Sequence, residues 1–252
     1  MCSDERDPGK SKTDTEQAGS GGRTAPDDGT RAGSDDVLSV AVRTLCAFAA
    51  RQGDLDLRFT PSPSAQQGRE GHLLIARRRG ESYETEITLS AHCAGLHLKG
   101  RADGYEPRNR ELEEIKTHRG RVEDIPANHR TLHRAQARLY AWMLCLARDL
   151  PSVTVSVVYL EIGSLEESRY SEELDRDALQ VFAESLCARY VAWAQSEARH
   201  RKRRQDWLQQ ITFPRVEFRE GQRDLAAAVW RACTGGESLR IQAPTGLGKT
   251  LG

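Results

Sequence analysis

Asp103, Glu114 and Lys116 fall within the stretch GRADGYEPRNRELEEIKTH, residues 100–118, which offers two carboxylates and an ammonium group close together in sequence. Phosphodiester hydrolysis needs an activated water and a neutralised charge on the phosphorus oxygens. Mg²⁺ or Mn²⁺ supplies both when carboxylates hold the ion and leave coordination positions open. Glu114 and Lys116 are two residues apart, so on a strand their side chains share a face. A hairpin turned at Pro107-Arg108-Asn109-Arg110 brings Asp103 beside Glu114, with Lys116 placed to orient water or to stabilise a phosphorane. The same spacing also fits a solvated polar hairpin, because 29% of the residues are charged. D-x₁₀-E-x-K alone does not decide between the two.

Three further groups bear on the choice. His72, in GREGHLLIARR, is either a third metal ligand approaching from a helix or a packing histidine. Gln136 and Tyr140 are four apart on a helical stretch and so share one face. Near the end of the chain, APTGLGKT (residues 243–250) fits a phosphate-binding loop containing Thr245, Gly246, Gly248, Lys249 and Thr250. Small residues let backbone N–H groups wrap a β-phosphate, Lys249 reaches the β/γ oxygens, and Thr250 offers its hydroxyl to Mg²⁺. Two basic runs, Arg77-Arg78-Arg79 and ARHRKRRQDW (198–207), could contact phosphates; the longer one also reads as a solvated helix end whose cations complement the C-terminal dipole.

The elements that must position these groups follow from periodicity. Residues 1–35 hold almost no large apolar side chains and are expected to be a disordered tail. Behind Asp35 and Asp36, as candidate N-caps, Val37, Val40, Ala41, Leu45 and Phe48 predict a helix. Residues 64–80 predict a second helix, weakened by Gly68 and Gly71. Alternation predicts strands near 82–92, 96–106 and 111–117, and Leu132, Ala135, Leu139, Met143 and Leu146 predict a long helix ended by Pro151. SVTVSVVYLEIG is a β-branched strand, and a helix over about 172–204 closes the domain. The expected class is α/β: a mixed sheet flanked by helices over residues 36–205. A helix GQRDLAAAVWRAC and a short strand LRIQA then begin a second domain over 211–252.

Composition narrows the partners. The 252 residues carry 37 basic and 37 acidic side chains, so any nucleic-acid surface must be a local patch. Cys2, Cys46, Cys93, Cys145, Cys187 and Cys233 form no C-x-x-C pair, which leaves an iron–sulfur cluster, a zinc site and a disulfide framework without support. They read as isolated core thiols. No signal peptide or membrane span is evident, and a soluble, cytoplasmic chain is expected.

G-x-x-x-H ending at His72, G-x-x-D ending at Asp103, E-x-K-T from Glu114 and Q-x-x-x-Y from Gln136, in this order, resemble the RecB-type branch of the PD-(D/E)XK nuclease superfamily over about residues 37–200. The resemblance implies a restriction-endonuclease-like fold and Mg²⁺ or Mn²⁺ held by His72, Asp103, Glu114 and the Ile115 carbonyl. It further implies Lys116 as the catalytic lysine, with Gln136 and Tyr140 lining the DNA path; with Asp103, Glu114 and Lys116 all present, cleavage of single-stranded or branched DNA is expected. The members with a four-cysteine iron–sulfur clamp differ from this chain. Over residues 211–252, F-R-x-G-Q followed by A-P-T-G-x-G-K-T is similar to DinG/XPD-type superfamily-two helicases, with Phe213, Arg219 and Gln222 matching their adenine-contacting region. That implies ATP as ligand of a full-length helicase whose remainder is missing here, and no working motor in this chain. A non-cleaving DNA-binding or scaffolding module with the nuclease fold, and a helicase accessory domain of unrelated fold, are the competing expectations.

Overall fold

The computed structural model describes residues 38–53, 62–212 and 217–242. Its elements run β1 (Leu38–Ala41), α1 (Val42–Ala49), α2 (Ala65–Arg79), β2 (Glu84–Cys93), β3 (Leu96–Glu106), β4 (Glu111–His118), a short 3₁₀ turn, α3 (Ala127–Arg148), β5 (Ser152–Glu161), β6 (Glu167–Asp175), α4 (Arg176–Gln210) and α5 (Gln222–Gly235). The chain divides into two compact units, Met1–Ala192 and Trp193–Gly252.

The first unit holds a mixed six-stranded sheet in the order β1-β3-β4-β5-β6, with β2 also paired to β3. The pairing at β3 decides where the site lies. β2 runs antiparallel along nearly all of β3, from Cys93↔Leu96 to Glu84↔Tyr105. A strand has only two edges, so β1 and β4 must share the other one. β1 takes it at Leu96–Lys99 and β4 only at Gly104–Glu106. Between them, Gly100–Asp103 is left without a ladder on that edge.

β4 and β5 pair in parallel along their whole length, from Glu111↔Thr154 to His118↔Glu161. A parallel pair needs a crossover, and α3 supplies it. Side chains alternate across a sheet, and the contacts show which helix covers which face. Ile115, Val158 and Leu160 pack with Ile75 of α2. Tyr159 meets His133 of α3 instead, and Lys116, its partner in register, points to the same side. α3 is buried nearly all round between Ala135 and Cys145, as a helix inside a core must be. Its Trp142 Nε1 donates to Gln180 of α4 at 2.6 Å.

α2 begins with a capping box, in which the Ser64 hydroxyl accepts from the Gln67 amide at 3.2 Å while the Gln67 side chain accepts from the Ser64 amide at 2.9 Å. Its Gly71 has a packing reason, whereas a Cβ at Gly68 would make only an ordinary contact, 3.7 Å from Thr117 Oγ1. A Cβ at Gly71 would lie 2.5 Å from Thr117 Cγ2 and 3.1 Å from Leu160 Cδ2, so only glycine lets α2 settle this close to β4 and β5.

Four expectations need correcting. Leu38–Ala41 is a strand, and the helix starts only at Val42; the parallel partner β3 overrides the helical periodicity. Phe48, expected on the buried face of that helix, is exposed. Residues 172–175 belong to β6, an edge strand whose ESRYSEELD sequence carries no alternation. Residues 239–242 carry no strand, since no partner strand is present for them among the described residues. The tail 1–35 and the candidate caps Asp35 and Asp36 lie outside the described residues. Cys46, Cys93, Cys145 and Cys187 are buried and unbridged, whereas Cys233 is exposed. No described helix is long and apolar enough to cross a membrane.

Candidate active site

Where β3 loses its ladder, the Asp103 side chain takes over. Its Oδ2 accepts a hydrogen bond from the Ile115 amide at 2.7 Å, bridging the gap to β4. Its Oδ1 lies 3.6 Å from His72 Nδ1, which α2 brings to the same spot. Burial holds the Asp103 carboxyl above its usual range, against the opposing pull of Lys116 and the Ile115 amide. Burial likewise lowers His72, and the Lys116 ammonium lowers it further, while the Ile115 carbonyl favours its protonated form.

Glu114 is 3% exposed, and Oε1 accepts from Lys116 Nζ. Its Oε2 is buried with no hydrogen-bond partner among the described residues. Burial pushes the Glu114 carboxyl up to about 7, and the nearby Asp103 charge adds to the shift while Lys116 opposes it. Burial works against the charge on Lys116 as well, yet Glu114 and Asp103 outweigh it and hold the ammonium above the ordinary lysine range.

Tyr140 rests on the open part of β3. A Cβ on Gly100 would meet Tyr140 Cε1 at 2.6 Å and its hydroxyl oxygen at 2.9 Å, so the glycine of G-x-x-D makes room for that ring. Burial raises the Tyr140 hydroxyl pKa, with the Glu114 charge next in weight. Gln136 is half-buried one turn earlier on α3. The structure thus brings His72, Asp103, Glu114, Ile115, Lys116 and Tyr140 to one stretch of β3 and β4, with Gln136 on the helix above.

An orphaned buried carboxylate oxygen is what a cation ligand looks like without its ion. Among the described residues, no group of three or more His, Cys, Asp or Glu side chains is close enough to hold a metal unaided. The donors present are carboxylate oxygens and a peptide carbonyl. They fit Mg²⁺ or Mn²⁺, since Mg²⁺ keeps several waters and takes one or two carboxylates, and they fit a closed zinc cage poorly.

Other sequence candidates fare differently. Arg78 and Arg79 are structural: Arg78 pairs with Glu167 at 2.7 Å, and Arg79 binds Glu113 at 3.0 Å and Glu167 at 2.6 Å. The 198–207 run lies within α4 and is not its end. At the start of α5, the Gln222 side chain accepts from the Arg219 amide at 2.8 Å, a local turn contact. Phe213, Thr245, Gly246, Gly248, Lys249 and Thr250 lie outside the described residues.

Sequence reasoning missed His133, whose Nδ1 lies 3.1 Å from the Tyr159 hydroxyl on the face that carries Lys116. Its spacing gave the signal, since His133, Gln136 and Tyr140 stand at i, i+3 and i+7.

No family model matches the chain, and no curated protein does. Among solved structures, it is similar to an alkaline exonuclease (LHK-Exo) from Laribacter hongkongensis at 15% identity, covering 68% of this chain and 94% of that one with a TM-score of 0.42. A phage related exonuclease from Haemophilus somnus 129PT matches at 14% identity over 56% of this chain and 75% of its own, with a TM-score of 0.38. SSO0001 matches at 22% identity over 60% and 75%, with a TM-score of 0.37. At these values, function has to be argued from the site itself.

Proposed function

We propose that the first unit is a metal-dependent deoxyribonuclease that hydrolyses phosphodiester bonds in single-stranded or branched DNA. The observation that carries this reading is the buried, unpartnered Glu114 Oε2 beside Asp103 and Lys116. A site kept only for stability would not leave that oxygen bare, because an unsatisfied buried group costs about 1–3 kcal/mol.

Asp103, Glu114 and the Ile115 carbonyl are the groups that would hold the ion, with His72 beside Asp103. Bound there, Mg²⁺ or Mn²⁺ supplies a water of lowered pKa and charge neutralisation at the phosphate. Lys116, fully protonated through its two carboxylate neighbours, donates to the attacking water or to a phosphate oxygen. The Ile115 amide fixes the Asp103 carboxylate, and Tyr140 closes the site from α3. The reading of residues 211–252 as the opening of an ATP-dependent helicase domain belongs to the same proposal and rests on the F-R-x-G-Q and A-P-T-G-x-G-K-T residues.

The test is a gel assay with end-labelled linear, circular and branched DNA, in Mg²⁺ or Mn²⁺ and in EDTA. Wild type cleaves with metal, whereas Asp103→Ala and Lys116→Ala lose about a hundredfold or more. Equal rates in all three proteins would remove this site from the reaction. Binding without cleavage in every protein would favour a non-cleaving DNA-binding module.

A further inference from the structure

A cleft of about 340 Å³ opens between the first turns of α3 and strands β5 and β6. Its floor is Val157 and Tyr159, its walls Arg130, Thr131 and Arg134 on one side and Tyr170 on the other. Tyr159 is 2% exposed and its hydroxyl is tied to His133, so it cannot move aside. Tyr170 is 45% exposed and stands edge-on to Tyr159, with ring centroids 5.9 Å apart at 78°. That contact steadies the Tyr170 ring while leaving a face open to solvent.

The two arginines are not engaged elsewhere in the way their neighbours are. Arg138 is clamped by Glu172 at 2.8 and 2.6 Å, and Arg169 by Glu111 and Glu113. Among the described residues, no salt bridge involves Arg130 or Arg134, and no acidic side chain lines the cleft. Four residues apart on α3, the two guanidinium groups share one face. Their charges reach the Tyr159 hydroxyl, where both oppose the rise that burial causes.

Tyr159 is the register partner of Lys116, one strand over and on the same face. One strand spacing, about 4.8 Å, therefore separates the floor of the cleft from the catalytic lysine's strand. Paired guanidinium groups suit a phosphate, and an exposed aromatic face suits a base. The volume lies at the lower end of small-ligand sites, matching a single nucleotide and excluding a paired duplex.

We infer that this cleft holds one unpaired nucleotide of the DNA strand next to the cut phosphate, its base stacked on Tyr170 and its phosphate between Arg130 and Arg134. The inference rests on the proposed nuclease reading only for the identity of that phosphate. It makes the protein select single-stranded over duplex DNA, because a paired base cannot turn its face to Tyr170.

The experiment measures fluorescence anisotropy of a labelled 12-nucleotide single strand and of its blunt duplex in EDTA, using the full chain. Tyr170→Ala weakens single-strand binding about tenfold, Tyr170→Phe retains it, and duplex binding does not change. The double variant Arg130→Ala/Arg134→Ala lowers the slope of log affinity against log salt by about 0.7, the amount for the one phosphate charge that is no longer neutralised. An abasic position at the stacked nucleotide weakens wild type but not Tyr170→Ala. Wild-type affinity in Tyr170→Ala, an equal loss on duplex, or no single-strand binding by wild type would overturn the inference. Cleavage in Mg²⁺, run on the same preparations, separates the two ideas. Cleavage by wild type with unchanged Tyr170→Ala binding sinks the cleft alone, while Tyr170-dependent binding without cleavage sinks the nuclease reading alone.

Discussion

Glu113 and Glu114 are chain neighbours, 1% and 3% exposed, and their surroundings differ sharply. Glu113 accepts from Arg79 and from the Tyr83 hydroxyl at 2.7 Å, and it pairs with Arg169. Among the described residues, Glu114 has Lys116 on one oxygen and no hydrogen-bond partner on the other. We expect Glu113→Gln to cost about 1–3 kcal/mol in urea unfolding, because it weakens the buried hydrogen bonds from Arg79, Arg169 and Tyr83, although Arg79 keeps Glu167. Glu114→Gln should cost less than half as much while losing the response to metal. A larger loss at Glu114 would show that this residue serves the fold. His133 gives a pH signature. Burial first, and the Lys116 ammonium next, push it from 6.5 down to about 3. Between those values the unfolded chain takes up a proton that the folded chain refuses, so stability is present above about pH 6.5 and is lost as pH falls toward 3. His133→Asn should flatten the pH dependence of unfolding free energy between pH 4.5 and 7. An unchanged slope would remove His133 from the account.

At the scale of elements, the site exists because β3 is shared. With β1 and β4 both on one edge, the segment between their ladders is free for a carboxylate and a tyrosine ring. Gly100 sets the depth of that contact. We expect Gly100→Ala to destabilise by about 1–3 kcal/mol through overpacking against Tyr140, and to cost much less in a Tyr140→Leu background. Additive losses in the double variant would mean that the ring does not press on this position. The same logic explains why alternation found β2, β3 and β4, and a β-branched run found β5, almost to the residue. Each has one or both faces buried, and the pattern follows the burial. β1 and β6 were not legible. The four residues of β1 take their conformation from a parallel partner more than fifty residues away, and β6 exposes both faces at a sheet edge.

At the scale of the molecule, net charge is zero, so any hold on DNA has to come from local groups. Spacing made Asp103, Glu114 and Lys116 visible, because strand periodicity and one turn are enough to bring them together. It could not separate the arginines that pin the sheet, Arg78 and Arg79, from those that face a cleft, since that difference depends on Glu167 and Glu113 arriving from other strands. The phosphate-loop residues predict nucleotide affinity. On the proposed reading of residues 211–252, ATP binding measured by titration should weaken in Lys249→Ala, and equal binding by both proteins would contradict that reading. The central claim concerns two carboxylates and one divalent ion, and the free Mn²⁺ signal in electron paramagnetic resonance reports on it without any nuclease assay. Titrated with wild-type protein, that signal should fall toward one ion bound per chain, with affinity at least tenfold weaker in Asp103→Ala and Glu114→Gln. Equal Mn²⁺ binding by the three proteins, or none by wild type, would contradict the account.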